Sequence, residues 1–140
     1  MFIYLSGGGV AGVWRPVNEF ILKSKGPRLL SHAYVRLLWS YCELARSLDL
    51  RGSRLLVDSG AFTAWTKGLE VNRDQLAKAF ATVIERYDHL FEELHLINLD
   101  RIPGRYGTTA TREEIVDAMR ESMVNYRWLC ERFPGRVLPV

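Results

Sequence analysis

Two acidic side chains follow apolar segments, at positions where carboxylates do chemistry in proteins built on parallel strands. Asp58 comes directly after the apolar run 55–57, and Asp100 comes directly after the largely apolar run 94–99. A carboxylate at such a position can accept a proton, orient a ligand that carries an amide, or attack an electrophilic carbon. The alternative is structural, with Asp58 capping the next turn and Asp100 closing a turn before Pro103. Spacing alone favours neither interpretation.

The five residues 58–62 have the sequence D-S-G-A-F, which suits a loop that receives a flat ligand. Gly60 and Ala61 let the backbone approach a ligand and offer N–H groups without a bulky side chain. Ser59 adds a small donor and acceptor, and Phe62 offers a face on which a heterocycle can stack. The alternative is an ordinary turn between a strand and a helix, with Phe62 in the core.

Basic residues near Asp100 are candidates for contacts with phosphate groups. Arg101, Arg105 and Arg112 follow this acid, with Tyr106 between them. Their guanidinium groups can pair with the backbone phosphates of a nucleic acid. The alternative is solvation together with pairing to the acids of the next helix.

The chain contains no spacing of residues that is typical of a metal site or of a disulfide framework. Cys42 and Cys130 lie far apart, each inside an apolar helical pattern, so we expect two buried thiols. The three histidines are scattered along the chain. The sequence therefore predicts no metal site and no cofactor within these residues.

Length and composition are those of an ordinary globular domain. The 140 residues are 48% hydrophobic and 25% charged, which excludes a disordered chain or a fibre. No run approaches the roughly 18 apolar residues of a membrane helix, and the first residues lack the basic segment of a signal peptide. We therefore expect a cytoplasmic protein that does not contact a membrane. The net charge of +3 is compatible with a nucleic-acid partner but does not by itself indicate one.

Apolar strands alternate with helical patterns along the chain. Strands are predicted at 2–5, 28–31, 54–57, 94–99 and 136–140. Helices are predicted at about 17–23 and 34–48, after a cap formed by Asn72 with Gln75, and after a capping box formed by Thr111 with Glu114. The last of these helices carries an apolar stripe that we expect to cover the sheet, formed by Ile115, Met119, Met123, Tyr126, Leu129 and Cys130.

This alternation implies a parallel sheet that is covered by its helices. Five βα units in this length average about 28 residues each, close to the repeat of a (β/α)₈ barrel of roughly 250 residues. We therefore expect residues 1–140 to be a single domain of the α/β class, the N-terminal portion of a (β/α)₈ barrel that is truncated after about five units. The alternative is a complete small open α/β sheet. Asn98 would face the barrel interior or serve as an ordered core amide, and the open edge of a half-barrel would favour association with a second copy.

One segment of the chain resembles a signature of the tRNA-guanine transglycosylase superfamily. Residues 58–62 are similar to its Asp-Ser-Gly-Gly-(Phe/Tyr)-Gln motif, and Asp100 supplies the second acid on the next strand. Residues 57–65 and the opening segment 4–9 are more similar to the phage and mobile-element branch, which inserts 7-deazaguanines into DNA. The resemblance is strongest over residues 54–104.

The resemblance implies a pentosyltransferase that exchanges guanine in DNA or tRNA for a 7-deazaguanine such as queuine, without breaking the sugar–phosphate backbone. Asp58 would be the catalytic acid/base that handles the proton of the leaving and entering bases. Ser59 and Gly60 would line the base pocket, and Phe62 would stack on the purine ring. Asp100 would accept hydrogen bonds from N1–H and the exocyclic amine, which an ionised carboxylate can take side by side. The similarity to the phage branch favours DNA as the substrate.

Two residues depart from the family motif, and two family features fall outside the chain. Ala61 stands where the family has its second glycine, and Thr63 stands where it has glutamine, so we expect a different pocket floor. The family's attacking aspartate and the Cys/His zinc site of its tRNA enzymes belong to later strands, beyond Val140. We therefore expect the chain alone to be inactive in base exchange.

Two other functions are compatible with these residues. A glycoside hydrolase-like barrel would use Asp58 and Asp100 as its two carboxyl groups, about 5–5.5 Å apart in a retaining enzyme and about 6.5–9.5 Å apart in an inverting one. A non-catalytic half-barrel would bind nucleic acid in a salt-sensitive manner that Asp58→Ala leaves unchanged.

Overall fold

The computed structural model describes residues 5–6, 28–31, 42–43, 46 and 53–139. Its strands are β1 (Leu5–Ser6), β2 (Arg28–Ser31), β3 (Ser53–Asp58), β4 (Phe91–Ile97) and β5 (Val137–Leu138). Its helices are α1 (Ala61–Thr66), α2 (Arg73–Tyr87) and α3 (Arg112–Arg132), and a 3₁₀ turn (Asp88–Leu90) joins α2 to β4. Within the described residues, no helix has the length and apolar character needed to cross a membrane.

The five strands form one parallel sheet in which each strand lies beside its neighbours in sequence. The order is β1-β2-β3-β4-β5, without a reversal among the described strands. Leu55 pairs with Leu94, and Val57 pairs with Leu96, so β3 and β4 stay in register toward their carboxyl ends. Parallel pairing therefore brings the residues that follow β3 and β4 to the same edge of the sheet.

Most strand predictions that fall on described residues are confirmed, with shifted ends. The strand predicted at 28–31 is β2, and the strand predicted at 54–57 is β3 with one further residue at each end. β4 begins three residues earlier than predicted and ends two residues earlier. Its early start has a physical reason: Phe91 is buried in the core and pairs with Ser53.

Several predicted elements lie wholly or partly outside the described residues. The predicted helix at 17–23 lies outside them entirely, as do residues 2–4 of the first predicted strand. Of the helix predicted at 34–48, the structure describes Cys42, Glu43 and Arg46, and all three are helical.

The core lies between α2 and one face of the sheet. α2 begins where predicted, because the Asn72 side-chain oxygen accepts a hydrogen bond from the Gln75 N–H at 2.9 Å. From α2 the core receives the side chains of Leu76, Phe80, Val83 and Tyr87. From the sheet it receives Leu55, Val57, Leu94 and Leu96, and Leu129 of α3 packs with them.

The two cysteines are both free, and they differ in burial. Cys42 is buried in the core as predicted, and this burial raises the pKa of its thiol to about 12. Since the thiolate is the reactive form, Cys42 is chemically inert at neutral pH. Cys130 is only partly buried, at the margin of the core.

Ion pairs and hydrogen bonds attach neighbouring segments to the end of α2. The Arg136 guanidinium binds both oxygens of the Asp88 carboxylate, with Nη2 at 2.7 Å from Oδ2, and so fixes the start of β5. The Tyr87 hydroxyl donates a hydrogen bond to Glu43 at 2.7 Å. Burial, this hydrogen bond and the Glu43 charge raise the pKa of Tyr87 to about 12.

α3 begins at the predicted capping box but leaves half of its predicted apolar stripe exposed. Thr111 accepts a hydrogen bond from the Glu114 N–H at 3.2 Å, and Glu114 accepts one from the Thr111 N–H at 2.8 Å. Leu129 is buried, but Met119 and Met123 are 68% and 51% exposed. The prediction of a buried stripe was wrong for this part of α3, because the described part of the chain leaves this face of the helix uncovered.

The packing predicts that Phe80→Ala destabilises the fold strongly. Phe80 is fully buried between α2 and the sheet, so its truncation leaves a cavity and lowers the free energy of unfolding by about 3–5 kcal/mol. The matched control is Phe62→Ala, which removes the same atoms from a side chain that is 62% exposed and changes stability by no more than about 0.5 kcal/mol. Urea denaturation of both variants measures the difference, and equal losses would contradict this description of the core.

Candidate functional site

The turn after β3 places the residues 58–62 at the carboxyl edge of the sheet. Asp58 is the last residue of β3, and Gly60 has a left-handed conformation with φ of 72°. A residue with a side chain is strained in this conformation, which explains the glycine. The sequence predicted a ligand-receiving loop here, but α1 begins at Ala61, so the loop consists of Ser59 and Gly60, both of them buried.

Asp100 lies three residues beyond the end of β4, at the same edge of the sheet. It is half-buried, and its Oδ1 accepts a hydrogen bond from Asn98 Nδ2 at 2.7 Å. Burial raises the pKa of Asp100 above its ordinary value, the hydrogen bond from Asn98 opposes this rise, and the charge of the Asp58 carboxylate adds to it. Asp58 and Asp100 are therefore near enough for their charges to repel each other.

This repulsion predicts that Asp58→Asn lowers the pKa of Asp100. The substitution keeps the shape of the side chain and removes its negative charge, so Asp100 ionises more easily and titrates at a lower pH. The measurement is the titration of the Asp100 carboxyl carbon by NMR. Asp117→Asn is the matched control, because Asp117 is an exposed residue of α3 whose carboxylate pairs with Arg120 at 3.3 Å. An Asp100 pKa that is the same in Asp58→Asn as in the wild type would show that the two acids do not interact.

Three aromatic side chains of α1 and the loop after β4 form a row. The rings of Phe62 and Trp65 have centroids 5.7 Å apart, and the rings of Trp65 and Tyr106 meet edge to face at 5.4 Å. Trp65 donates its indole N–H to the Gly104 carbonyl oxygen at 3.0 Å, which ties α1 to the loop after β4. Phe62 is 62% exposed and Tyr106 is 64% exposed, so the alternative that placed Phe62 in the core is wrong.

A cavity of about 200 Å³ lies beside this row, between α1, the loop after β4 and α3. Of the predicted site residues, Asp100 is the one that lines it. The other side chains around it include Trp65, Leu69, Glu70, Arg101 and Asn125. The Asp58 and Asp100 carboxylates are thus near enough for their charges to interact. Asp100 lines this cavity, and Asp58 is not among its lining residues.

Arg101 is held by acids rather than left available for a phosphate. Its guanidinium pairs with Glu70 at 3.0 Å and with Glu121 of α3 at 3.4 Å. The alternative of pairing with the next helix is therefore correct for this arginine. Arg105, in the loop after β4, and Arg112, the first residue of α3, are both exposed.

Two residues of α3 hold the loop that carries Asp100, and the sequence analysis missed both. Ser122 accepts a hydrogen bond from Asn98 Nδ2 on its carbonyl oxygen at 3.2 Å and one from the Arg101 N–H on its hydroxyl at 2.8 Å. Asn125 donates to the Leu99 carbonyl oxygen at 2.9 Å. The available signal was a serine and an asparagine three residues apart in the middle of an otherwise amphipathic helix, where such residues are unfavourable unless they find a partner.

Comparisons with known proteins do not extend this description. Neither a protein-family model, nor a curated protein, nor a solved structure matches the chain. Among the described residues, no cluster of three or more His, Cys, Asp or Glu side chains is arranged to hold a metal ion. The positions of the two acids and of the aromatic row are therefore the features of the structure that bear on function.

Proposed function

We propose that this chain carries the base-recognition part of a transglycosylase that replaces guanine in nucleic acid with a 7-deazaguanine. The observation that carries the proposal is the position of Asp58 and Asp100 at the carboxyl ends of two adjacent parallel strands, where the charge of Asp58 contributes to the raised pKa of Asp100. A carboxyl group with a raised pKa beside a second acid is a frequent feature of functional sites, and an exposed aromatic ring such as that of Phe62 can stack on a heterocycle. A cytoplasmic location is part of the same proposal.

The order of the strands supports a (β/α)₈ barrel as the frame of this site. In a doubly wound sheet the strand order reverses, and the ligand lies at the reversal. In a barrel each strand lies next to its neighbours in sequence, and active sites lie at the carboxyl ends of the strands. The five described strands follow the second pattern, and both acids lie at that end of β3 and β4.

Asp100 is the residue that recognises the base in this proposal. An ionised carboxylate only accepts hydrogen bonds, so it can bind the N1–H and the exocyclic amine of a guanine-type base side by side. Protonation of Asp100 would place an O–H donor opposite the N–H donors of the base. The pKa of Asp100 is raised, so this carboxyl group becomes protonated at a higher pH than an ordinary aspartate does. Base affinity is therefore expected to fall as the pH is lowered through the pKa of Asp100.

Asp58 is the acid/base in this proposal, and the attacking carboxylate comes from outside the residues that resemble the family. The leaving guanine must gain a proton and the entering base must lose one, so a single carboxyl group can serve both steps in turn. Its position at the end of β3, near enough to Asp100 for the two charges to interact, supports this role, since a base bound to Asp100 would lie near it. The nucleic acid is bound by other surfaces, with DNA favoured over tRNA by the resemblance of residues 57–65 to the phage branch.

The proposal predicts that Asp100→Asn weakens the binding of 7-deazaguanine to the 140-residue chain by about ten-fold or more, since hydrogen bonds to a charged group are worth about 1.5–3 kcal/mol. The variant also loses the pH dependence of binding, because residue 100 no longer titrates. Asp58→Asn is expected to retain base affinity at neutral pH, since it removes only the proton-transfer group. Isothermal titration calorimetry between pH 4 and pH 8 measures both effects.

The outcomes separate three functions. Equal loss of base affinity in Asp58→Asn and Asp100→Asn, with both variants folded, would contradict the division of roles between the two acids. Binding of an oligosaccharide instead of the base would favour the glycoside hydrolase. Salt-sensitive binding of nucleic acid without any affinity for the free base would favour the non-catalytic half-barrel.

The aromatic row provides a second prediction for base binding. Phe62→Ala is expected to weaken the binding of 7-deazaguanine about ten-fold, because stacking of a base on an aromatic ring contributes about 1–3 kcal/mol. The matched control is Tyr106→Ala, which removes an equally exposed ring at the other end of the row and is expected to leave binding of the free base unchanged. Unchanged affinity in Phe62→Ala would show that the base does not stack there.

A further inference from the structure

Asn98 is a buried amide that binds the Asp100 carboxylate directly. The residue is only 3% exposed. Its Nδ2 donates one hydrogen bond to Asp100 Oδ1 at 2.7 Å and another to the carbonyl oxygen of Ser122 at 3.2 Å. The amide nitrogen of asparagine carries two hydrogens, and both are used in these contacts.

The two contacts allow a single orientation of the Asn98 amide. The Asp100 carboxylate and the Ser122 carbonyl are both acceptors, so a flipped amide would present its own oxygen to two other oxygens. In the orientation that satisfies them, Asn98 Oδ1 is buried and has no hydrogen-bond partner among the residues that the structure describes. The two contacts of Nδ2 therefore determine which way the amide is turned.

α3 holds both ends of the short segment that carries Asp100. Ser122 binds Asn98 through its carbonyl oxygen and the Arg101 N–H through its hydroxyl. Asn125 binds the Leu99 carbonyl oxygen between them. Two of these hydrogen bonds therefore fix the backbone on either side of Asp100, and the third fixes the Asn98 side chain.

We propose that Asn98 is a positioning residue, which occupies one lone pair of Asp100 Oδ1 and so holds the carboxylate in one orientation, with Oδ2 and the second lone pair of Oδ1 left for a ligand, while Ser122 prevents the amide from rotating. The hydrogen bond also favours the ionised carboxylate against the burial and the neighbouring Asp58 that disfavour it. The interaction between Asn98 and Asp100 stands on the geometry alone. Its consequence for base recognition rests on the function proposed above.

The first test uses the wild-type chain and needs no substitution. If Asn98 donates to Asp100, the NMR shifts of its two side-chain amide protons will change with pH at the midpoint of the Asp100 titration. The side-chain amide of Asn125, which binds a backbone carbonyl, serves as the internal control and is expected to show no such step. Asn98 amide shifts that stay constant while Asp100 titrates would overturn the proposal.

The second test compares two variants that each remove one amide of this network. Asn98→Leu keeps the size of the side chain, removes both donors and is expected to raise the pKa of Asp100 further and to weaken binding of 7-deazaguanine about ten-fold. Asn125→Leu removes the bond to Leu99 and is expected to change neither quantity, although it loses stability. A purely structural role for Asn98 would give two folded variants with the same Asp100 pKa. If Asn98→Leu does not fold, the wild-type titration decides the question.

Failure of this inference can be told apart from failure of the proposed function. A chain in which Asn98 follows the Asp100 titration but which has no affinity for 7-deazaguanine would support the positioning role and contradict the function. A chain that binds the base through Asp100, with an Asn98 amide indifferent to the Asp100 titration, would contradict this inference alone.

Discussion

The parallel pairing of β3 with β4 is the constraint on which the candidate site depends. The register of these strands brings Asp58 and Asp100 to one edge of a parallel sheet, where burial makes ionisation of Asp100 costly and the charge of Asp58 adds to this cost. The hydrogen bond from Asn98 opposes both effects. Opposed contributions of this kind are concentrated at functional sites, because they set the protonation of a group that has chemistry to do.

A small movement of the loop after β4 would relieve the repulsion between Asp58 and Asp100. Hydrogen bonds from two helices hold this loop in place. α3 binds residues 98–101 through Ser122 and Asn125, as the hydrogen bonds to Asn98, Leu99 and Arg101 show. α1 binds the same loop further along, through the indole N–H of Trp65 and the Gly104 carbonyl oxygen. The loop after β4 is therefore fixed between two helices, and its backbone cannot move away from β3 without breaking these bonds.

The sequence predicted those features that depend on neighbouring residues. The strands at 28–31 and 54–57 and both helix caps follow from local apolar patterns and from side chains that bind free backbone N–H groups, and the structure confirms them. α1 was not predicted, because a helix of six residues is too short to show a helical period.

Features that depend on distant partners were predicted poorly. Arg101 pairs with Glu70, which lies 31 residues away in the sequence. Its position next to Asp100 in the sequence therefore did not show whether its guanidinium was available for a phosphate. The apolar stripe of α3 indicated a buried face, but burial depends on what packs against it, and Met119 and Met123 are exposed in the described structure. The roles of Ser122 and Asn125 emerge only when α3 is placed against β4.

The most direct test of the account is a crystal structure of the 140-residue chain with 7-deazaguanine bound. The account predicts the ring against the exposed face of Phe62, with the N1–H and the exocyclic amine bound to the Asp100 carboxylate and with the Asp58 carboxyl within hydrogen-bond reach of the base. A base that lies elsewhere, or one that contacts Asp100 while Asp58 is directed away from it, would contradict the claim that these two acids form one purine site.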